Sequence, residues 1–421
     1  MTALVVGAAR SGVAIANHLA RHGEQIRVAD RKPASELADA IAQMPADVEL
    51  RLGGYDTGVL AGVSIVFASP GVPWDSDLLN EARARGIPVS SEIARFLELC
   101  PGTIVGVTGT NGKTTTTALI GEVLAAGERP VVVGGNIGDT VLDRLEEITD
   151  RHWVVLELSS FQLESVERPH FHVGVILNIT PDHLDRHKTF EHYVDLKARA
   201  IEFAGPDDFA VLNGRDATVR GLAGRTRAKV VWFDQHNPIP PMPVPGRHNL
   251  DNALAAAAVG RIAGLSDAVI DKAIASFRGV EHRLELVGEW GGVRWYNDSK
   301  ATNPDAGRVA VTSFPGTPLV LIAGGYGSGF ELAEWVADVR AHATAVIVMG
   351  ASAGLLAGEL REHPNVKRAS SLEEAVAMAA ERARPGGVVL LSPAYKSFDM
   401  FKDFEDRGRQ FKALVRKRFA A

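Results

Sequence analysis

The sequence predicts an α/β protein with three domains, and two observations support this prediction. The 421 residues of the chain correspond to two or three domains at about 150 residues each. Short runs of β-branched residues alternate with Ala- and Leu-rich amphipathic stretches along almost the whole chain, a pattern typical of parallel sheets covered by helices. We expect domain boundaries near residues 98 and 280, which give domains 1–98, 99–280 and 281–421.

The predicted strands fall into three series. The first covers residues 3–6, 26–29 and 65–68, with a helix over 11–21. The second covers residues 104–107, 131–133, 153–158, 173–178 and 209–212. The third opens with a hairpin of 284–287 and 293–296 that turns at Gly291-Gly292, and continues with 319–323, 345–349 and 388–391.

The composition excludes several classes of protein. Apolar residues make up 46% and charged residues 23% of the chain, which is the balance of a globular and not a disordered protein. The net charge of −6 gives no general attraction to nucleic acid or to an anionic membrane. The single cysteine, Cys100, cannot form an internal disulfide, and no apolar run reaches the roughly 18 residues of a membrane span. We therefore expect a cytoplasmic protein that binds no nucleic acid and crosses no membrane.

A glycine-rich loop joins the first strand of the second series to a helix. The loop and first helical turn comprise Gly109, Thr110, Asn111, Gly112, Lys113, Thr114 and Thr115. Glycines let backbone N–H groups face an anion, the helix N-terminus adds its positive dipole end, and the lysine supplies a mobile charge. The threonine hydroxyl after the lysine is suited to Mg²⁺. Val107 stands where the general phosphate-loop pattern has a glycine, so the sequence predicts a shortened form of a nucleoside triphosphate site.

A second glycine-rich turn follows the first strand. Gly7 and Gly12 frame it, Asp30 ends the next strand, and Ala9 replaces the middle glycine of the dinucleotide fingerprint. That replacement argues against a standard nicotinamide site. The residues leave two interpretations open, a plain strand–helix turn or a nucleotide diphosphate site with looser contacts. The polar partners available to such a diphosphate are Arg10, Ser11 and Arg31.

Two further strands of the second series end in polar residues. Glu157 follows one strand at the sheet edge where ligands bind, and His183 and His187 follow the next. The histidine pair, four residues apart, raises a zinc site as one alternative, and a structural His183 that caps the next helix is another. Beside a phosphate loop we expect Mg²⁺, held by Glu157, Thr114 and phosphate oxygens.

Lys197 occupies an unusual position in the helix predicted over 190–203. Helical spacing puts it on the apolar face with Phe190, Tyr193, Val194 and Ile201. One interpretation is that its side chain extends outward to water. The other is a buried amine, whose lowered pKa would let it add CO₂ and form a carbamate that ligates Mg²⁺.

The third block contains two polar loops that follow strands. Residues 296–304 (YNDSKATNP) combine a cation, a carboxylate and small hydroxyls, and residues 392–399 (SPAYKSFD) add another cation and more hydroxyls. Both suit a small charged substrate, although the first is also compatible with a capped turn.

Taken together, these motifs resemble those of the ATP-dependent Mur ligases of peptidoglycan synthesis. The segments that match are 108–114, 134–138, 157–163, 182–186, 297–303 and 397–399, and the resemblance extends over essentially the whole chain. It implies a Rossmann-like N-terminal domain, a central P-loop mononucleotide-binding α/β domain and a Rossmann-like C-terminal α/β domain. It also implies a monomeric ligase that uses ATP to join D-glutamate to UDP-N-acetylmuramoyl-L-alanine through an acyl phosphate.

The resemblance further implies a role for each candidate residue. It assigns the UDP moiety to Arg10, Ser11, Asp30 and Arg31, and ATP to the phosphate loop with Asn249, Asn252, Arg283 and Asp298. It puts two Mg²⁺ ions between Thr114, Glu157, His183 and a carbamate on Lys197. Asn136, Ser159 and His183 would approach the muramoyl-alanine end, and Lys300, Thr302, Ser397 and Phe398 would contact D-glutamate. The residues closest to the chemistry would be Lys113, His183, Lys197 and Lys300.

The chain departs from the family pattern in the predicted amino-acid pocket. Ser328 stands near a position where the family often has a lysine, and Tyr395 and Lys396 replace small residues. Lys396 would then supply the missing cation. The rival functions are a nicotinamide-dependent oxidoreductase, a nucleotide-gated interaction protein, and a sister ligase that adds another amino acid or adds glutamate to a folate.

Overall fold

A computed structural model describes residues 2–136, 140–233, 239–242, 244, 246–327 and 329–420. The chain forms two compact units, one of Met1–Ile239 with Asp251–Ala273 and one of Pro240–Leu250 with Ile274–Ala421. The first predicted domain and most of the second, apart from residues 240–250 and 274–280, therefore lie within one unit. The boundaries near 98 and 280 stay predictions.

The first unit begins with a five-stranded parallel sheet. Its strands and helices are β1 (Thr2–Val6), α1 (Arg10–Arg21), β2 (Gln25–Asp30), α2 (Ala38–Ile41), β3 (Glu49–Leu52), β4 (Val63–Ala68), α3 (Asp77–Ala84), β5 (Val89–Ser90) and α4 (Glu92–Leu99). The strand order is β3-β2-β1-β4-β5. Because the order reverses on the two sides of β1, the carboxyl end of that strand opens into the crevice where such sheets bind ligands.

A six-stranded parallel sheet follows in the same unit. Its elements are β6 (Thr103–Thr108), α5 (Lys113–Ala125), β7 (Val131–Gly135), β8 (Trp153–Glu157), α6 (Ser160–Glu164), β9 (Val173–Ile176), α7 (Leu184–His187), α8 (Phe190–Glu202), β10 (Phe209–Leu212), α9 (Ala217–Gly221) and β11 (Lys229–Trp232). Two helices, α10 (Arg247–Ile262) and α11 (Asp267–Ser276), come next along the chain. The strand order is β11-β10-β9-β6-β8-β7. The loop after β6 therefore lies between the ends of β8 and β9.

The two sheets of the first unit share one hydrophobic core. Ile15 of α1 and Phe96 of α4 belong to the same buried cluster as Leu156 of β8 and Phe171. A buried hydrogen bond between the hydroxyls of Ser91 and Ser165, 2.7 Å long, also joins the two parts. Apolar burial is the main favourable term in folding, so this shared core fixes one sheet against the other.

The second unit contains a mixed six-stranded sheet. Its elements are β12 (Glu285–Trp290), β13 (Val293–Asn297), α12 (Pro304–Thr312), β14 (Leu319–Ala323), α13 (Ala333–His342), β15 (Ala343–Val348), α14 (Ala353–Glu359), β16 (Val366–Arg368), α15 (Leu372–Arg382), β17 (Val388–Leu391) and α16 (Phe404–Phe419). The order is β12-β13-β17-β14-β15-β16. Among the strands that the structure describes in this unit, β12 and β13 are the one antiparallel pair, which confirms the predicted hairpin. The α/β class predicted from the sequence is confirmed throughout the described chain.

The strands missing from the sequence prediction are β3, β5, β11 and β16. Each lies at the edge of its sheet. An edge strand needs no continuous apolar run, because one side of it faces solvent. In the described parts of the chain, no helix has both the length and the apolar character needed to cross a bilayer.

Candidate functional site

The phosphate loop between β6 and α5 has the backbone that an anion site requires. Gly109 and Gly112 have φ angles of 155° and 83°, values that glycine adopts without steric cost. Asn178, just beyond β9, holds the loop from the other side. Its carbonyl accepts from the N–H of Thr110 and its side-chain oxygen accepts from the N–H of Asn111, both at 2.8 Å. The loop is thus held open at the N-terminus of α5.

Two lysines meet at this loop. The Lys113 ammonium donates to the carbonyl oxygens of Gly109 and Thr110 at 3.0 and 2.8 Å. The Lys197 Nζ atom, from α8, donates to the same Gly109 carbonyl at 2.8 Å. The structure therefore brings two of the predicted catalytic residues together, although 84 positions separate them in the sequence (197 − 113).

Lys197 is buried and does not extend to water. Its exposure is 1%, and its Nζ lies 4.6 Å from the centre of the Tyr193 ring. Burial lowers the pKa of Lys197 well below its ordinary value, and the Lys113 charge lowers it further, against a smaller opposing effect of Asp182. The site thus favours the neutral, nucleophilic amine.

Glu157 is a buried carboxylate with one unsatisfied oxygen. It ends β8, beside β6 in the sheet, and its exposure is 2%. The Asn136 amide donates to Oε1 at 3.0 Å, whereas Oε2 has no hydrogen-bond partner among the residues described. An unpaired buried carboxylate oxygen is costly, and a hard divalent cation is the ligand that would satisfy it. The nearby Thr114 side chain, in the first turn of α5, is also buried.

His183 and Ser159 stand at helix N-termini. His183 adopts a left-handed backbone (φ 52°) as the N-cap residue of α7, but its side chain makes no capping bond. His183 therefore stands at the N-cap position, as the capping alternative predicts, but its side chain does not cap the helix. Ser159 does cap α6, in a reciprocal capping box with Gln162. Its predicted substrate contact stays a prediction.

Among the described residues, His183 and His187 do not belong to one cluster of metal-binding side chains, as the zinc alternative requires. Within the described ranges, His187 is clustered with Glu164 and His192 instead. Burial lowers the pKa of His187 to about 4, with contributions from His192 and Arg186. Its ring is therefore neutral at pH 7.

The N-terminal glycine turn borders a cavity of about 720 Å³ at the carboxyl end of β1. The predicted UDP ligands Arg10, Ser11, Asp30 and Arg31 all line it. The two Asp30 carboxylate oxygens accept from the backbone N–H groups of Ala8 and Lys32 at 2.7 and 2.9 Å. Asp30 therefore shapes the turn.

An aromatic ring lies on another wall of this cavity. The Arg31 guanidinium is 5.9 Å from the centre of the Tyr55 ring, a ring that the sequence interpretation had missed. A cavity lined by a planar aromatic ring and by arginine side chains suits a nucleotide base and its diphosphate.

Asn249 and Asn252 are buried side chains one turn apart in α10. The Asn252 side-chain oxygen accepts from the Thr116 hydroxyl at 3.0 Å. A Cβ at Gly112 would lie only 2.5 Å from that oxygen, so the loop glycine and Asn252 fit closely. The predicted adenine contacts stay predictions.

In the second unit, Asp298 is buried directly after β13. Its carboxylate accepts from the Ser392 hydroxyl at 2.7 Å and from the Leu284 N–H at 3.2 Å. Burial raises the pKa of Asp298 to about 7, against the opposing effects of Ser392 and Arg283. The Arg283 Nε atom is buried with no partner among the described residues, and a buried donor of this kind can bind an anionic acceptor.

The predicted glutamate contacts lie in loops around a buried arginine. The Lys300 Nζ atom lies 5.8 Å from the centre of the Phe404 ring. Arg407, one turn further along α16, donates to the Ser299 carbonyl at 2.8 Å and to the Tyr395 carbonyl at 3.1 Å. Neither Phe404 nor Arg407 was predicted, although their spacing of three residues puts both on one face of a helix.

Other predicted contacts in this region differ in exposure. Ser397 is buried, Thr302 is partly buried, and Phe398 is 64% exposed. Tyr395 is fully buried and packs edge-on against Phe330, whereas Lys396 is exposed. Ser328 lies outside the described residues. The proposed contacts of this group with an amino acid stay predictions.

Comparisons with known proteins agree with this geometry. Family models match residues 1–91 (Mur ligase MurD-like, N-terminal domain), 107–239 (Mur ligase middle domain) and 282–395 (Mur ligase, glutamate ligase domain). The UDP-N-acetylmuramoylalanine–D-glutamate ligase of Pelotomaculum thermopropionicum is 42% identical over 98% of this chain and 96% of its own length. The protein of the same name from Solibacter usitatus is 41% identical over 98% and 97%.

A solved structure supports the fold. The crystal structure of MurF ligase from Thermotoga maritima in complex with ADP matches with a TM-score of 0.57 and 19% identity, covering 94% of this chain and 96% of that one. The chain therefore has the three-domain α/β fold of the Mur ligases and belongs to that family, among its UDP-N-acetylmuramoylalanine–D-glutamate ligases.

Proposed function

We propose that this chain uses ATP to join D-glutamate to UDP-N-acetylmuramoyl-L-alanine, as a monomeric enzyme of peptidoglycan precursor synthesis in the cytoplasm. The observation that carries the proposal is the phosphate loop at which Lys113 and the buried Lys197 share the Gly109 carbonyl. A plain nucleotide-binding protein has no need of a second, buried lysine at that point. A nicotinamide-dependent oxidoreductase would leave the whole loop without a role.

The central sheet would bind ATP. The N–H groups of Thr110 and Asn111 stay bonded to Asn178, so the N-terminus of α5 would face the phosphates. Lys113 would exchange its two carbonyl partners for phosphate oxygens. Asn249 and Asn252 of α10 would lie near the adenine. Arg283 and Asp298 of the second unit are further proposed ATP contacts, and the Arg283 Nε atom has no partner among the described residues.

Magnesium fits the residues present. The Glu157 Oε2 atom is buried without a hydrogen-bond partner among the described residues, and a cation would satisfy it. The residues that would hold two Mg²⁺ ions are Thr114, Glu157, His183 and Lys197 as its carbamate. When bound, Mg²⁺ neutralises phosphate charge. The carbamate would form when the neutral Lys197 amine attacks the carbon of CO₂ and releases one proton, which changes a neutral amine into an anion.

The chemistry would proceed in two displacements. An oxygen of the alanyl carboxylate attacks the γ-phosphorus, the bond to the bridging oxygen breaks, and ADP leaves. Lys113 stabilises the charge that spreads over the transferred group. The D-glutamate amine then attacks the acyl carbon, phosphate leaves with its electron pair, and the amine loses a proton to give the amide.

The two substrates would occupy different parts of the chain. The cavity of the first sheet would take UDP through Arg10, Ser11, Asp30 and Arg31, with Asn136, Ser159 and His183 near the alanyl end. The loops of the second unit would take D-glutamate. The residues proposed there are Lys300, Thr302, Ser397 and Phe398, with Phe404 beneath the Lys300 ammonium.

Phosphate release tests this function. The purified chain with ATP, Mg²⁺ and bicarbonate is given UDP-N-acetylmuramoyl-L-alanine and, in parallel, D-glutamate, L-glutamate, L-alanine or diaminopimelate. Of these amino acids, we expect only D-glutamate to cause phosphate release. We expect no phosphate release when UDP-N-acetylmuramate replaces UDP-N-acetylmuramoyl-L-alanine. Release with a different amino acid would assign the chain to a sister ligase, a choice that Tyr395 and Lys396 in the predicted pocket make worth testing.

A further inference from the structure

A cluster of three metal-binding side chains, from α6, α7 and α8, has no part in the proposed reaction. One nitrogen of His187, one nitrogen of His192 and one carboxylate oxygen of Glu164 all lie within 4.8 Å of one another. These residues come from the ends of α6 and α7 and from the first turn of α8. Nothing in the ligase chemistry requires two imidazoles and a carboxylate at this place.

His187 has the surroundings of a metal-binding histidine. Its exposure is 3%, and its Nε2 atom contacts the Ser160 hydroxyl at 2.9 Å. Its Nδ1 atom is buried without a hydrogen-bond partner among the described residues. When Nε2–H donates to Ser160, the lone pair remains on Nδ1. A hydrogen bond at the other ring nitrogen is the support that metal-ligating histidines usually have.

Glu164 and His192 are less buried than His187. Glu164 is held by Arg186, whose guanidinium lies 3.3 Å from Oε2, and a carboxylate fixed in this way keeps a second oxygen for another partner. His192 is exposed, and its ring centre lies 5.9 Å from that of His187. Its side chain can therefore rotate toward the other two at little cost.

We propose that Glu164, His187 and His192 form a binding site for a first-row transition ion such as Zn²⁺, separate from the magnesium ligands. Two imidazoles and a carboxylate are a common zinc donor set, with bonds of about 2.0–2.2 Å and donors therefore about 3.4 Å apart. The three donor atoms, all within 4.8 Å of one another, would have to approach to that spacing, and His192 is exposed. Three protein ligands leave one position for water.

The chemistry of the donors separates this ion from Mg²⁺. Imidazole nitrogens favour Zn²⁺, Co²⁺, Ni²⁺ and Cu²⁺, whereas Mg²⁺ prefers oxygen ligands. Excess Mg²⁺ should therefore not displace the bound ion. Because Glu164 and His192 lie on different helices, an ion here would also join α6 to α8.

Co²⁺ is the probe for the site, because its visible absorption reports coordination directly. The full-length chain in excess Mg²⁺ is titrated with Co²⁺ and then with Zn²⁺. We expect the intense bands of a four- or five-coordinate ion at one equivalent, lost when Zn²⁺ is added. His192→Ala and Glu164→Gln should each weaken binding at least tenfold and leave the thermal unfolding midpoint without metal near that of the wild type.

Two controls make the result specific. His170→Ala removes an exposed histidine that also pairs with a carboxylate, that of Asp208, and should leave Co²⁺ binding unchanged. His183→Ala removes a proposed magnesium ligand and should do the same. Binding that His192→Ala and Glu164→Gln leave unaffected, binding lost in His183→Ala, or no Co²⁺ bands at one equivalent would overturn the proposal. None of these outcomes depends on ligase activity.

Discussion

Lys113 and Lys197 donate hydrogen bonds to one backbone oxygen, the carbonyl of Gly109, at 3.0 and 2.8 Å. Two ammonium groups this close repel each other, and the repulsion is stronger where water is excluded. Lys197 is the buried member, and its pKa is the one lowered well below the ordinary value. The phosphate-loop lysine thus helps to keep its neighbour in the neutral form that can react with CO₂.

Replacing Lys113 removes the charge that would stabilise the transferred phosphoryl group. We expect Lys113→Ala to lower kcat by a factor of about 10²–10³, the usual effect of losing one well-aimed charge stabiliser. Steady-state phosphate release measures this. A variant with turnover within tenfold of the wild type would show that Lys113 does not have this role.

Replacing Lys197 removes the position of the proposed carbamate. We expect Lys197→Ala to be nearly inactive and to recover part of its activity when formate or acetate is added, because a small carboxylate can occupy the vacated space. Lys113→Ala is the matched control and should not respond to the same salts. Full activity of Lys197→Ala without added carboxylate would rule out the carbamate.

Glu92 predicts a pH dependence of stability. Its carboxylate is buried between the two sheets of the first unit and accepts from the Leu142 N–H at 3.3 Å. Burial raises the pKa of Glu92 to about 7, with a contribution from Asp143. A raised carboxyl pKa means that the folded state binds more protons than the unfolded state. The contribution to the free energy of unfolding is therefore complete below about pH 4 and is lost as the pH rises toward 7.

Glu92→Gln removes this dependence. From pH 4.5 to pH 8 we expect the free energy of unfolding of the variant to rise relative to the wild type by about 1–3 kcal/mol. Urea unfolding at several pH values measures the difference, and kcat should stay unchanged because Glu92 has no place in the proposed site. A difference between the two proteins that is constant with pH would contradict the raised pKa.

Arg31 tests the cavity at the end of β1. We expect Arg31→Ala to raise KM for UDP-N-acetylmuramoyl-L-alanine by about tenfold with kcat almost unchanged, since the residue would bind ground state and transition state alike. Arg51→Ala, which removes an arginine of the neighbouring β3 paired with Glu49, is the control. Equal KM values for the two variants would place the nucleotide elsewhere.

Tyr395 carries a buried hydroxyl without a partner among the described residues. Removing an unsatisfied polar group from a core costs little, so Tyr395→Phe should be neutral or stabilising. Tyr395→Ala should instead cost about 3–5 kcal/mol, because it leaves a cavity against Phe330. Thermal unfolding of both variants decides this. Strong destabilisation by Tyr395→Phe would mean that the hydroxyl has a partner.

The central strands could be predicted from the sequence because they are buried on both faces and consist of apolar runs. Phe209–Leu212, Leu319–Ala323 and Val388–Leu391 agree with their predicted ranges to the residue. The edge strand Glu49–Leu52 could not be predicted in this way, because charged residues alternate with leucines and none of its four residues is fully buried. A strand of that kind is defined by its neighbour in the sheet.

The site was predictable where function imposes a local pattern, and not where it depends on contacts between distant segments. The phosphate loop is one continuous motif, so its lysine could be identified directly. Phe404 comes close to Lys300 only because α16 folds back on the sheet of the second unit. Helical spacing raised the possibility that Lys197 is buried, but only the fold shows its ammonium at the Gly109 carbonyl.

The transfer of one oxygen atom tests the central claim most directly. UDP-N-acetylmuramoyl-L-alanine labelled with ¹⁸O in its alanyl carboxylate is incubated with the enzyme, ATP, Mg²⁺ and D-glutamate, and the released phosphate is examined by mass spectrometry. An acyl phosphate requires one labelled oxygen in each phosphate formed. Product formation with phosphate that carries no label would contradict the account.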